Sequence, residues 1–360
     1  MSIILTLLVF TIIVVIHEWG HFIMARRHGI FVEEFAIGMG PALWQHKTKK
    51  DLVVSVRLLP IGGFCKMKGE EPSEDGEQES DSFTAKSPGA RAQIAAAGPV
   101  MNFVLALVLL LVFNFIYGYT TTEVVNVDAS YPAAEAGLEV GDTVKKLNGE
   151  AIRVYSKISF LLMDYQEGDT VELTVEKADG SEETMEFALQ YDEELGRYRM
   201  GFTAGSTPGL GEAIAEKGFF AALWEGICYS FWYLWFEIEM TVRSLAMLIT
   251  GKLGLDAVAG PIGMVSVVGE TYQTAASYGF MAVVSSMSSL MILLSANLGV
   301  LNLFPIPGLD GSRLVFLAVE KIRRKPMNPK LENRIYLIGF ILLFSLMIIV
   351  AFNDILRLFS

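Results

Sequence analysis

Apolar residues in this chain come in long unbroken runs, not in the short alternating pattern of a soluble sheet. Ser2 to Ile16 is uncharged and almost continuously aliphatic, and Ala92–Thr122, Thr271–Leu309 and Ile335–Asn353 contain no charged residue. A helix that crosses hydrocarbon needs about 20 such residues. The pattern predicts a polytopic α-helical membrane protein with four transmembrane helices, the first running from about Ser2 to Met24. The first run lacks the basic start and small-residue cleavage site of a secretory signal peptide, and it leads into a His-Glu pair.

Between the first two spans the pattern changes. Leu52 to Met67 alternates like strands and breaks at Pro60, Gly62 and Gly63. Two short strands about a Gly-Gly turn are predicted, and the apolar Leu58, Leu59, Ile61 and Phe64 mark the hairpin as membrane-associated. Backbone at membrane depth must be satisfied by protein or by a wet cavity. Val124 to Phe202 reads as a small soluble α+β domain. Glu172–Val175 and Thr184–Leu189 are strand-like around an Asp179-Gly180 turn, and Ala133–Gly137 is a short helix closed by glycine. Phe219 to Ile249 is apolar but carries Glu225, Glu237, Glu239 and Arg243 with Trp224, Trp232 and Trp235. That mixture predicts an amphipathic helix at the interface, with a fifth span as the rival. The resulting division is an N-terminal membrane part over 1–117, a soluble domain over 122–205, a connector with the interfacial helix over 206–270, and a C-terminal membrane part over 271–360.

Composition agrees with this division. Of 360 residues, 52% are hydrophobic and 19% charged, against about 25% charged in soluble domains. The net charge of -12 is concentrated, because the segment from Thr122 to Gly205 holds 18 acidic and 7 basic residues. No dense basic face exists, which excludes nucleic acid as a partner. Arg26 and Arg27 follow the first span, Lys47, Lys49 and Lys50 come soon after, and Asp310–Arg334 is basic. Basic loops stay cytoplasmic. Four spans then place both termini and the acidic domain outside the cell membrane. Glu70–Asp81, with seven acidic residues, reads as a solvated inner loop. Cys65 and Cys228 fall on opposite sides, so no disulfide is expected.

The chemistry lies at two polar islands. His17-Glu18-Trp19-Gly20-His21 is an H-E-x-x-H pattern. On a helix, residues four apart share a face, so two imidazoles can bind one metal ion and Glu18 can take a proton from the attacking water. Ionisable groups at the end of a membrane helix are costly and mark function. A catalytic zinc takes three protein ligands. Asp310 ends the third uncharged run, after the helix-breaking Pro305 and Pro307 and before Gly311. It offers the third ligand, or it caps a following helix over Ser312–Lys321.

Together these segments resemble the site-2 protease family of intramembrane metalloproteases, and within it the bacterial branch that contains the regulator-of-sigma-E protease. The family's N-x-x-P-x-P-x-L-D-G element matches Asn302, Pro305, Pro307, Leu309, Asp310 and Gly311. Its G-F-x-x-M hairpin element matches Gly63, Phe64 and Met67, Gly98-Pro99-x-x-Asn102 opens the second helix, and Asn353-Asp354 closes the last. The resemblance implies Zn2+ held by His17, His21 and Asp310, with Glu18 as general base and then acid. It implies that Asn302, Pro305 and Pro307, with the hairpin at Gly63, Phe64 and Met67, hold an unwound substrate strand by edge addition. Asn102 orients substrate or joins helices. Pro132–Leu138, Gly141-Asp142 and Asn148-Gly149 resemble an inserted PDZ-like domain outside the membrane, present once, which would bind a peptide or substrate tail, filter by size or act as a spacer. The implied substrates are single-pass membrane proteins, such as anti-sigma factors and remnant signal peptides, trimmed beforehand outside the membrane. Two other classes remain: a metal or ion transporter, which would need charges near the bilayer centre and an internal repeat, and a non-catalytic PDZ adaptor, which would not require Glu18 beside the histidines.

Overall fold

The structure is a computed structural model describing residues 2–70, 79–166, 168–193, 196–254, 258–325 and 327–359. Most of the expected acidic loop, 71–78, lies outside the described residues. Its flanks are ion-paired: Lys68 contacts Glu79 and Asp81, and Arg313 contacts Glu70 at 2.5 Å. The chain forms two compact units, Met1–Leu109 with Thr241–Ser360, and Leu110–Met240.

The first unit begins with α1 (Ser2–Arg27). Its last turn carries Arg26 and Arg27, where cations suit the helix dipole, and Gly29 at φ 69 follows. Two strands come next, β1 (Val32–Lys47) and β2 (Val53–Met67). They correct the expected hairpin. Leu52–Met67 is not two strands around Gly62-Gly63. It is one strand beginning at Val53, and its partner is β1, whose glycines and few alternating positions hide it from pattern reading. Lys47–Trp44 pairs with Val53–Val56, and Glu34–Ile37 pairs with Gly63–Lys66, both in opposite directions. Glu34–Ile37 also lies beside Val53–Val56 with both stretches advancing in the same sense. Each strand therefore bends and contributes twice, and Gly63–Met67 forms an edge.

The helix α2 (Pro88–Tyr117) starts earlier than the uncharged run, with proline in its first turn, where the missing N–H costs nothing. Gly98-Pro99 consequently sits inside this helix and does not open it. α2 runs on into the second unit. There β3 (Thr120–Val127), α3 (Pro132–Glu135), β4 (Thr143–Leu147), β5 (Glu150–Ala151), α4 (Tyr155–Leu161), β6 (Thr170–Glu176) and β7 (Glu182–Ala188) follow. β8 (Gln190–Asp192) pairs with β9 (Arg197–Arg199), and β10 (Phe202–Ser206) returns to the main sheet, ordered β10-β3-β4-β6-β7 with β5 beside β4. Alternation builds the core: Val171, Leu173 and Val175 of β6 are fully buried and meet Val124, Val144, Leu147, Met185 and Phe187. Buried Asp142 accepts from Glu139 N–H and from Lys177 Nζ, each at 2.9 Å.

After α5 (Leu210–Lys217) comes α6 (Phe219–Ile249). Ala222, Gly226 and Ser230 lie on its buried face. Asn114 Nδ2 donates to Ser230 Oγ at 2.9 Å, and Gly226 packs on the Phe115 ring. Trp224 and Trp235 are exposed, while Trp232 stacks under the Arg153 guanidinium at 4.1 Å.

The first unit resumes with α7 (Pro261–Ala276), α8 (Phe280–Leu303), α9 (Asp310–Arg323) and α10 (Pro329–Phe359). The uncharged run 271–309 is thus divided, because Gly279 at φ 103 turns the chain between α7 and α8. Asp354 of α10 is buried and accepts from Gly260 N–H at 3.1 Å and Gly263 N–H at 2.8 Å, capping α7 from another helix. Among the described residues four helices are long and apolar enough to cross a membrane: Ser2–Arg27, Pro88–Tyr117, Phe280–Leu303 and Lys330–Arg357.

Candidate metal centre

One turn of α1 sets His17 above His21, and both are buried at 7% exposure. The α2 backbone lies against them. A Cβ added at Gly98 would stand 2.7 Å from His17 Nε2 and closer still to His21 Nε2. Gly20, inside the H-E-x-x-H pattern, is pressed on Ala97 C=O in the same way, with Met101 Cγ 2.7 Å from where its Cβ would be. Two facing glycines thus let α1 and α2 approach to backbone distance, and one of them clears the space in front of the imidazoles.

The third group arrives from the far end of the chain. α8 stops at Leu303, Phe304 is extended, and Gly308 at φ 103 reverses the backbone. Gly311 fits against the Leu303 and Phe304 carbonyls. Asp310 therefore begins α9 beside the histidines. The cap position of this helix is Leu309, so Asp310 stands in the first turn and not at the cap. Asp310 Oδ2 lies 3.0 Å from His17 Nε2 and 3.2 Å from His21 Nε2, and the two Nε2 atoms are 3.2 Å apart.

These separations fit a metal. Ligand atoms about 2.0–2.1 Å from a tetrahedral zinc sit about 3.3 Å from one another. The three groups are the described residues whose ligand atoms could hold one ion. His21 Nδ1 lies 2.8 Å from Ile94 C=O. A carbonyl only accepts, so Nδ1 carries the proton and Nε2 keeps a lone pair for a metal.

Glu18 is aimed elsewhere. Its Oε2 accepts Cys65 N–H at 3.0 Å, which ties it to the edge of β2. Glu18, His17, His21 and Asp310 line a cavity of about 690 Å3, together with Phe64, Met67 and Asn302. Gly63 packs on Ala36 C=O and Glu18 Cγ. Arg57 Cζ lies 4.8 Å from the Phe64 ring centroid and pairs with Glu34 at 2.7 Å, bracing the strand. Pro305 and Pro307 are not on the cavity wall. They shape the turn before Asp310, and Pro307 packs on Gly339 of α10. Asn102 is also off the wall, fully buried beside His17. Sequence reading missed Cys65, Gly20 and the clearance at Gly98. A Gly-Pro pair inside an apolar helix was the available signal for Gly98.

Comparison with known proteins places this geometry. The model of peptidase family M50 matches residues 5–346. A protein of Clostridium acetobutylicum is 33% identical over 354 residues, covering 98% of this chain and 97% of that one. Zinc metalloprotease RasP of Bacillus licheniformis is 30% identical, with 99% of each chain covered. Regulator of sigma-W protease RasP of Bacillus subtilis is 29% identical, again with 99% of each covered. Among solved structures, the PDZ domain of an SdrC-like protein from Listeria monocytogenes matches at 25% identity and a TM-score of 0.21, covering 24% of this chain and 88% of that one. The chain belongs to peptidase family M50, the site-2 proteases, and is a membrane zinc metalloprotease of the intramembrane-cleaving kind.

Proposed function

We propose that His17, His21 and Asp310 hold the Zn2+ and that Glu18 is the general base, later the acid, in hydrolysis of a peptide bond within a substrate's transmembrane segment. The observation that carries this is the convergence of Nε2, Nε2 and Oδ2 within 3.2 Å, with Glu18 on the same cavity. Bound there, zinc supplies Lewis acidity toward the scissile carbonyl and its developing oxyanion. Glu18 removes a proton from the attacking water and returns it to the leaving amine.

A transmembrane helix hides its peptide bonds, so it must be unwound before it is cut. The edge Gly63–Met67 offers backbone partners for the freed strand. Cys65 of this edge lines the cavity with its N–H donated to Glu18, which sets the edge beside the general base, and Phe64, Met67 and Asn302 give the strand walls. Gly63 lets the edge press on Ala36 C=O of β1, while Pro305 and Pro307 shape the turn that presents Asp310.

In our reading the substrates are single-pass membrane proteins shortened beforehand outside, among them anti-sigma factors and remnant signal peptides. The Bacillus subtilis relative is named as a regulator of sigma-W protease. The β-rich segment 122–205 acts as a single PDZ-like domain outside the bacterial cell membrane that docks or sizes the substrate tail. α6 lies at the lipid interface with Trp224 and Trp235 outward, and the metal centre lies toward the cytoplasm, where Arg26 and Arg27 close α1. The test is cleavage of a single-pass model substrate by purified protein in detergent. Glu18→Gln is expected to abolish the cut while about one zinc per chain stays bound. Cleavage at the parent rate by that variant would rule out the mechanism.

A further inference from the structure

Asn102 is fully buried at the face of His17 that points away from Asp310. Its Nδ2 is placed 3.2 Å from His17 Nδ1, while its Oδ1 is buried with no hydrogen-bond partner. An orphaned buried carbonyl oxygen costs about 1–3 kcal/mol. The two ends of a side-chain amide are nearly indistinguishable in shape, and the hydrogen-bond network must assign them. Exchanging them brings that oxygen to His17 Nδ1, where it accepts the ring N–H, and turns the Nδ2 group to the side where the oxygen found no donor. That protonation leaves Nε2 with a lone pair directed at Asp310 and His21. His21 already has the matching arrangement, with Nδ1–H donated to Ile94 C=O. A metal held by both Nε2 atoms needs both imidazoles in this tautomer, and an amide N–H aimed at His17 Nδ1 would favour the other.

The position of Asn102 is itself held. Pro99 lies one turn earlier in α2, and Ser295 Oγ of α8 donates to Asn102 C=O at 2.8 Å. The Phe103 ring packs on Gly299 of α8 one turn further on. A buried line thus runs from Ser295 through Asn102 to His17, joining α8, α2 and α1.

We propose that Asn102 is a positioning residue for the metal: its amide oxygen accepts His17 Nδ1–H and so fixes the tautomer and ring orientation in which Nε2 binds zinc. This rests on the ligand assignment made above and removes Asn102 from the substrate-contacting set.

The test compares full-length Asn102→Leu and Asn102→Asp with the parent, reading zinc affinity by competition with a chromophoric chelator and the visible spectrum of the Co2+-loaded protein. His17→Ala serves as control. The groups that accept a ligating histidine's other ring N–H are typically worth about 10–100-fold in metal affinity. Asn102→Leu is expected to weaken zinc binding by that factor and alter the cobalt spectrum. Asn102→Asp, which keeps an acceptor, is expected to hold affinity within about threefold of the parent, on the same reasoning. Thermal unfolding of the metal-free proteins should shift little between the two variants. If Asn102→Leu binds like the parent, or Asn102→Asp is as weak as Asn102→Leu, the proposal is overturned. If His17→Ala binds zinc as tightly as the parent, the ligand assignment fails and not the role of Asn102 alone.

Discussion

At the scale of single residues, this centre depends as much on missing atoms as on present ones. Gly98 contributes no side chain, and that is its part in the site: any Cβ would occupy the space in front of His17 and His21. Overpacking of this kind costs about 1–3 kcal/mol, which, borne by the metal-bound state, is a loss in affinity of about 5-fold to 150-fold. Gly98→Ala should therefore weaken zinc binding by that factor, measured by chelator competition, and cleavage should fall with it. Parent-like affinity would mean that α2 yields at Gly98. His17, Glu18 and His21 stood out in the sequence because their spacing and the charge-free flanks leave few other reasons for polar groups there, whereas Asp310 read equally as ligand or helix cap until the family resemblance singled it out. Gly98 and Asn102 were visible as a motif but not as neighbours of the histidines. Nothing in a one-dimensional pattern says which turn of α2 faces which turn of α1.

At the scale of elements, helices were easier to read than strands. Four apolar runs gave four long helices because burial in lipid demands little beyond length and hydrophobicity. The β1–β2 pair was half read. β2 announced itself by alternation, but β1 carries Gly38, Gly40 and Pro41 and twice reaches across to β2, so its pattern is broken wherever it bends. The division of 271–309 into α7 and α8 was hidden for the opposite reason, since Gly279 leaves the hydrophobic run intact while turning the backbone. The cap on α7 was also invisible, as it comes from Asp354, far along the chain. Removing a buried acceptor leaves two N–H groups unpaired, at about 1–3 kcal/mol each where no water replaces it. Asp354→Ala should lower the thermal unfolding midpoint in detergent, and Asp354→Asn, which keeps one acceptor oxygen, should fall between. An unchanged midpoint for Asp354→Ala would show that the cap adds nothing to the packing of α7 on α10.

At the scale of the whole molecule, zinc should bear on stability as well as on chemistry, because its proposed ligands sit on α1 and at the start of α9. A ligand that binds only the folded state stabilises it by about 2.7 kcal/mol when present at a hundredfold above its Kd. Stripping the metal with a chelator should lower the unfolding midpoint and stop cleavage, and added zinc should restore both. His17→Ala should respond to neither treatment, and a parent-like response in that variant would relocate the metal. The order in which the ligands are made has a consequence of its own. The two histidines emerge from the ribosome with the first helix, whereas Asp310 is translated near the other end of the chain. A nascent or prematurely terminated chain therefore carries an incomplete metal centre. If Asp310 is the third ligand, as proposed, synthesis itself withholds a working centre until most of the chain has been made.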